Sequence, residues 1–236
     1  MLKSIVTAAL ASFVLVAHVA AAEAATEPTD IAAAAAEADR LIGAAEAGDL
    51  FENISDDEVA KVRHRRSGLE CSFNVGGTSN QILVFKTHAP RGDDVGCRSV
   101  EDETVTTLYA TLYPEPISAD TAARRALGEM RQVYGTVKPY KGTTATAQVP
   151  ENLTQFPQRY ASHGEIEVRG SPYFTTLATA AYRGWIFKLR ATTPLAQASE
   201  GQLQAELLFL MTLMAAIDRP GSIEGPPPSE PAQPPT

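Results

Sequence analysis

The residues of this chain that could do chemistry are few and widely spaced. Its two cysteines, Cys71 and Cys97, lie 26 positions apart, and beyond the first 22 residues its histidines are His64, His88 and His163. A redox pair normally stands within a few residues, as in C-x-x-C. No histidine has a second ligand at the i, i+4 spacing of a metal site. We therefore predict no metal site and no cofactor.

No motif of an established catalytic class occurs in the sequence. It lacks G-x-S-x-G, S-x-x-K, H-E-x-x-H and a phosphate-binding Walker loop. Ser67 follows His64 closely, but a catalytic triad is recognised by geometry and not by proximity in sequence. We predict no catalytic residue. A hydrolase of an unfamiliar type, with His64 or His88 as its base, is kept as an alternative.

Two charged clusters are the candidate ligand-binding residues. A basic run surrounds His64, and an acidic pair follows His88 shortly before Cys97. The basic run could bind an anion, or it could complement the dipole at the end of a helix. The acidic pair has too few oxygen ligands for calcium, and an acidic turn near a disulfide is the alternative. The candidates are Arg63, His64, Arg65, His88, Asp93 and Asp94.

The N-terminus has the pattern of a secretory signal peptide. Lys3 precedes an apolar stretch over residues 5–20, and Ala20-Ala21-Ala22 offers a cleavage site before Glu23. The alternative is an uncleaved membrane anchor, but the apolar stretch is short for a membrane span of about 20 residues. We predict a periplasmic or secreted protein with no membrane span after cleavage. In an oxidising compartment, Cys71 and Cys97 are expected to form a structural disulfide.

The charge balance excludes one class of partner. Cleavage after residue 22 removes one lysine and no acidic residue, so the formal net charge goes from −8 to −9. An acidic chain is a poor candidate for binding nucleic acid. We predict a signal peptide over residues 1–22, a helical segment over 23–66, one α+β domain over 67–219 and a disordered proline-rich tail over 220–236.

The stretch around the cysteines predicts three strands. Leu69, Cys71 and Phe73 alternate with polar residues, as in a half-buried strand. The glycine pair at 76–77 is a turn signal, and residues 82–85 form a second apolar run. These two runs could pair as a hairpin. A third strand over residues 95–100 would place Cys97 opposite or beside Cys71.

The remaining pattern predicts alternating groups of helices and strands. A loosely packed alanine-rich helix over residues 31–47 is followed by a short helix that begins at Ser55 with a capping box and ends in the basic run. Further expectations are a strand at 104–113, a helix from Ser118 to Gly135, short strands near 145–149 and 166–168, and strands at 173–182 and 185–192. A final helix is expected to begin with a capping box at residues 199–202. The side chains expected to lie on the sheet are those of Leu203, Leu207, Leu210, Met214 and Ile217. This order predicts an α+β fold with a mainly antiparallel sheet flanked by helices.

The end of the domain carries a resemblance. Residues 182–217 contain a turn, the strand GWIFKLRATTP and an apolar helix, and this unit resembles the last strand and helix of Mog1/PsbP-like domains. The resemblance implies a single antiparallel sheet sandwiched by helices and a non-enzymatic accessory or binding role. The stretch VRHRRSGLECSFN is similar to exported alphaproteobacterial proteins of uncharacterised function.

The leading functional hypothesis is therefore a non-catalytic exported envelope protein that binds a protein or a small ligand. The alternatives are the hydrolase described above and a carrier of an apolar ligand, held between the sheet and the final helix.

Overall fold

A computed structural model describes residues 28–86, 90–144 and 156–218. Its elements, in chain order, are α1 (Pro28–Ala44), β1 (Phe51–Asn53), β2 (Ala60–His64), β3 (Glu70–Phe73), β4 (Gln81–Val84), β5 (Asp94–Glu101), β6 (Thr104–Leu112), α2 (Ala119–Tyr134), β7 (Lys138–Pro139), β8 (Arg159–Val168), β9 (Ser171–Tyr182), β10 (Trp185–Pro194), a 3-10 turn (Leu195–Gln197) and α3 (Ala198–Ile217). The predicted signal peptide, the strand near residues 145–149 and the tail from residue 220 lie outside these ranges.

The described strands form two antiparallel sheets. The large sheet has seven strands in the order β4-β5-β6-β10-β9-β8-β7, and the small sheet has three in the order β1-β2-β3. Every strand pair in both sheets is antiparallel. Helices α2 and α3 pack on β8–β9 and β9–β10 of the large sheet. The predicted α+β class with an antiparallel sheet flanked by helices is confirmed.

The large sheet is built around the β9–β10 hairpin. Trp185, Phe187 and Leu189 alternate along β10 and are buried on the face that α3 covers, together with Leu213 of that helix. The opposite face packs at Leu177 against α2. As predicted, α2 begins at a Ser118 cap, whose Oγ accepts from the Thr121 backbone N–H, and ends at Gly135. The two helices therefore lie on opposite faces of one sheet.

The disulfide joins the two sheets. Cys71 of β3 is bonded to Cys97 of β5, which confirms the predicted pair. The proposed hairpin of residues 69–73 with 82–85 is wrong, because β3 pairs with β2 while β4 pairs with β5. Alternation in a sequence determines which side chains share a face, but it does not determine which strand is the partner.

The short helix predicted from Ser55 is a turn followed by strand β2. Ser55 Oγ accepts from the Lys61 backbone N–H, and Asp57 accepts from the Val59 N–H, so these side chains close a turn and cap no helix. Along β2, alternate residues are buried, which is the period of a strand. Since β2 pairs with β3, the small sheet crosses the predicted boundary between residues 66 and 67.

Helix α1 is packed more tightly than expected. Ala34, Ala38 and Leu41 are buried at i, i+4 and i+7, and the helix contacts β1 and β2. It begins at Pro28 and ends at Ala44, so Asp30, which could have capped a helix that starts at residue 31, lies in its first turn. Small alanine side chains let the helix approach the strands closely, and a weakly apolar sequence therefore still forms part of the core.

Helix α3 differs from expectation at its start and in its buried face. No side chain caps its N-terminus at Gln197, so the predicted capping box is wrong. Of the residues predicted to lie on the sheet, Leu210 is buried as expected, but Leu203 and Leu207 are 43% and 46% exposed. Phe209 and Leu213 are buried instead. Because the helix is apolar on nearly all sides, its periodicity selected the buried face only in part. No helix within the described residues has the length and hydropathy needed to cross a membrane.

Candidate functional site

A cleft of about 720 Å³ lies where the two sheets meet the start of α3. Its apolar surface comes from Phe73 at the end of β3, Ala191 of β10, and Ala205 and Leu208 of α3. Its charged surface comes from the β5–β6 turn and the first turn of α3, and neutral polar side chains of β3, β6 and β10 complete the lining. The volume is within the range of about 300–1,000 Å³ that small-molecule sites occupy. This cleft is the candidate functional site.

Two local features of the backbone shape the cleft. Asp102 and Glu103 form the two-residue β5–β6 turn with φ values of 45° and 64°, a conformation that glycine or asparagine usually supplies. On the opposite side, α3 approaches β10 at Gly201, where a Cβ would lie 2.6 Å from Thr193 Cγ2. Glycine therefore allows the helix to lie close to the strand and form one wall of the cleft.

The charged side chains that line the cleft are all acidic. Glu101 at the end of β5 and Asp102 and Glu103 of the β5–β6 turn line it together with Glu200 of α3. No lysine or arginine of the described residues lines it. Asn74 donates to Glu101 across 2.8 Å. Within the described part of the chain, none of these four carboxyl groups forms a salt bridge. A concave surface with charge of one sign attracts a ligand group of the opposite sign.

His64, one of the two bases considered for the alternative hydrolase, is fully buried beside an equally buried Ser67. His64 Nδ1 lies 2.8 Å from Ser67 Oγ and accepts the Ser67 backbone N–H, while the Leu69 N–H donates to Ser67 Oγ. The imidazole also packs against the rings of Phe51 and Trp185. Burial, with a smaller effect from nearby Arg66, lowers the pKa of His64 to about 4. The ring is therefore neutral at pH 7 and faces the protein interior.

The arginines next to His64 are paired with carboxylates. Arg63 contacts Glu70 and Glu52, and Arg65 contacts Glu52 across 2.9 Å, all on the outer face of the small sheet. Arg66 pairs with Asp93, and its guanidinium lies 5.6 Å from the centre of the Trp185 ring. The basic run is therefore part of two ion-pair groups and is not the last turn of a helix.

The candidate ligand-binding residues do not come together in one place. Arg63 and Arg65 point away from the core, His64 points into it, and Asp93 is buried next to Arg66. Asp94 accepts a hydrogen bond from Thr111 on the next strand. His88 lies outside the described residues. The ligand-binding role of these side chains stays a prediction, and the cleft is formed by other residues.

A second charged group lies on the opposite face of the large sheet. Lys188 Nζ is 4.4 Å from the centre of the Tyr109 ring, and Phe85 stacks on that same ring. Burial lowers the pKa of Lys188, although Glu129 and Asp94 oppose this effect. This group is separate from the cleft. In the part of the chain that the structure describes, no cluster of histidine, cysteine, aspartate and glutamate side chains is arranged to hold a metal ion.

Sequence reasoning did not identify the residues of the cleft. One available signal was the run Glu101-Asp102-Glu103 between two predicted strands, which indicates an acidic turn. Nothing in the sequence places this turn beside Glu200, because the two lie almost 100 residues apart. Their proximity depends on the pairing of β6 with β10 and on the position of α3.

No family model matches the chain, and no curated protein matches it. The crystal structure of LpqN, involved in cell envelope biogenesis of Mycobacterium tuberculosis, covers 59% of this chain and 79% of its own at 15% identity, with a TM-score of 0.26. At this TM-score the likeness carries no argument about fold or function. The resemblance to Mog1/PsbP-like domains stays a prediction.

Proposed function

We propose that this protein is an exported, non-catalytic binding protein of the cell envelope, and that the cleft beside α3 is its ligand site. The observation that carries the proposal is the cleft itself, with about 720 Å³ of space and a lining that combines apolar and acidic side chains. The disulfide between Cys71 and Cys97 supports export, because such bonds persist in oxidising compartments.

The burial of His64 and Ser67 favours binding over hydrolysis. A general base must come within hydrogen-bond reach of its substrate, either directly or through one water molecule. Both side chains are fully buried, and His64 Nδ1 is already occupied by contacts with Ser67. Their arrangement supports the role of a packed polar pair that holds the turn between β2 and β3.

The lining of the cleft favours a polar or cationic ligand over an apolar one. Glu200, Thr193 and Gln204 line it together with the acidic β5–β6 turn. An apolar ligand would remove water from these groups without replacing their hydrogen bonds, which costs free energy. The cleft lies between the sheet and the final helix, where a carrier of an apolar ligand was expected to hold it. Its walls, however, carry acidic and polar side chains as well as apolar ones.

The test uses nuclear magnetic resonance on the isotope-labelled mature protein. Spermidine is titrated as a cationic probe and citrate as an anionic one. We expect spermidine to shift the amide signals of Thr104 and Gly201, which line the cleft, and citrate to leave them unchanged. Ser72→Trp, an exposed position in the cleft wall, should abolish the shifts. The matched control Gln81→Trp, exposed on β4 outside the cleft, should not.

Two results would contradict the proposal. One is a set of shifted amides that lies away from the cleft, and the other is an equal response in the Ser72→Trp and Gln81→Trp proteins. Either result would show that the cleft is not the binding site.

A further inference from the structure

Within the described part of the chain, the outer face of α3 is apolar and exposed. Leu203, Leu207 and Met211 are 43%, 46% and 66% exposed, although each is a large apolar side chain. Of the 20 residues of α3, only Glu200 and Glu206 are charged. Glu206 is buried and pairs with Arg159 of β8, so it does not belong to this face. We call Leu203, Leu207 and Met211 the α3 stripe.

The α3 stripe continues into the acidic cleft. Glu200, Gln204, Leu207 and Met211 are spaced at i, i+4, i+7 and i+11, which places them along one side of a helix. Glu200 and Gln204 also line the cleft, as does the neighbouring Leu208. At 1.5 Å per residue, the distance from Glu200 to Met211 is about 16 Å. One continuous surface therefore runs from a negative end to an apolar end.

We propose that this surface binds a cationic amphipathic segment of a partner protein. The apolar side chains of the segment pack on the α3 stripe, and lysine or arginine residues at one of its ends enter the cleft. This inference rests on the proposed function, since it takes the cleft as the ligand site. Charge complementarity carries it, because the four carboxyl groups of the cleft have no cationic partner among the described residues, and a basic end would supply one.

A second copy of this chain fits the surface less well. In a two-fold pair of α3 helices, Glu200 of each copy would face the uncharged C-terminal half of the other helix, which ends at Ile217. The acidic cleft would gain no cation, and two chains of formal charge −8 would approach each other. An anionic membrane surface would likewise repel the acidic end. A cationic amphipathic segment matches both the acidic end and the apolar end of the surface.

The experiment uses fluorescence anisotropy with a labelled synthetic peptide. The probe is a 14-residue helix-forming peptide with leucines at i, i+3, i+4 and i+7 and three lysines at its end. A scrambled peptide of the same composition and a peptide with glutamate in place of lysine are the controls. We expect the probe to bind, its affinity to fall with added salt, and both control peptides to bind at least about tenfold more weakly.

Variants of the protein locate the contact. Leu207→Ser with Met211→Ser removes the α3 stripe, and Glu103→Gln with Glu200→Gln removes cleft charge; all four positions are exposed. We expect each pair to weaken binding by about tenfold, and the charge pair to reduce the salt dependence. The matched controls are Val133→Ser on α2 and Glu115→Gln with Glu167→Gln, exposed positions outside this surface, and they should change affinity by less than about twofold.

Three results would overturn the inference. The first is a lack of specificity: the scrambled peptide binds the wild-type protein as tightly as the probe does, or the stripe variant binds the probe as tightly as the wild-type protein does. The second is a wild-type dimer in sedimentation that the stripe variant dissociates, which would assign the surface to a second copy. The third is stripe-dependent binding to phosphatidylglycerol vesicles in place of peptide. If spermidine still binds in the cleft while the peptide fails, this inference falls and the proposed function stands.

Discussion

Removal of the disulfide is the perturbation whose cost the structure defines best. Cys71 and Cys97 close a loop with a sequence separation of 26, and both sulfurs are buried between the small and large sheets. In the chain-entropy model, opening a loop of that size lowers the free energy of unfolding by roughly 3.5 kcal/mol at 25 °C. Since domains are typically stable by about 5–15 kcal/mol, we expect the variant to fold with a large loss of stability.

The choice of substitution affects the magnitude. Alanine at both positions keeps the buried face apolar, so Cys71→Ala with Cys97→Ala measures the cross-link with only a small loss of packing. Serine would bury two hydroxyl groups, each of which costs a further 1–3 kcal/mol or so if it finds no partner. The serine protein should therefore be less stable than the alanine protein. The same comparison of serine with alanine at exposed positions should show no difference in stability.

The assay is urea unfolding of the mature protein, with intact and variant chains compared at the same pH. We expect a lower midpoint and a larger m value for the alanine protein, because its denatured state is no longer cross-linked and exposes more surface. The melting temperature should fall by about 7–14 °C, at roughly 2–4 °C for each kcal/mol in a chain of this size. A loss below about 1 kcal/mol would refute the entropic argument. Free thiols on both residues in periplasmic protein would refute the structural role.

Three other predictions concern stability at low pH, glycine positions and the two ends of the chain. The pKa of His64 is about 4 in the folded protein and about 6.5 in the unfolded chain, so its contribution to the free energy of unfolding is complete above pH 6.5 and is lost as the pH falls towards 4. Urea titrations should show this loss as about 3 kcal/mol, and His64→Leu should flatten the dependence on pH. Gly96→Ala should destabilise, because its Cβ would lie 2.4 Å from a carbonyl oxygen of β6, whereas Gly128→Ala on α2 meets nothing within 4 Å and should stabilise by about 0.5–1 kcal/mol. Intact-mass analysis should find a mature chain that begins near Glu23, and deletion of residues 222–236 should change the melting temperature by less than about 4 °C; retention of residues 1–22 or a larger change would contradict these expectations.

Local sequence determined most of the individual elements of this protein. The alternation along residues 173–182 and 185–192 predicted the β9–β10 hairpin, and Ser118 and Gly135 marked the ends of α2. With only two cysteines in the chain, the disulfide pair needed no knowledge of the fold. These features depend on side-chain periodicity, caps and residue counts, which can be evaluated within a short window of sequence.

Tertiary structure decided the features that depend on distant partners. Residues 60–64 form a strand and not a helix because they pair with β1 and β3 in a sheet whose inner face is buried. The buried side of α3 was decided by contact with the sheet, since a helix that is apolar on nearly all sides has no preferred face of its own. The pairing of β6 with β10 brings the β5–β6 turn beside the start of α3 and so forms the cleft. The acidic character of the cleft is therefore a property of the folded chain.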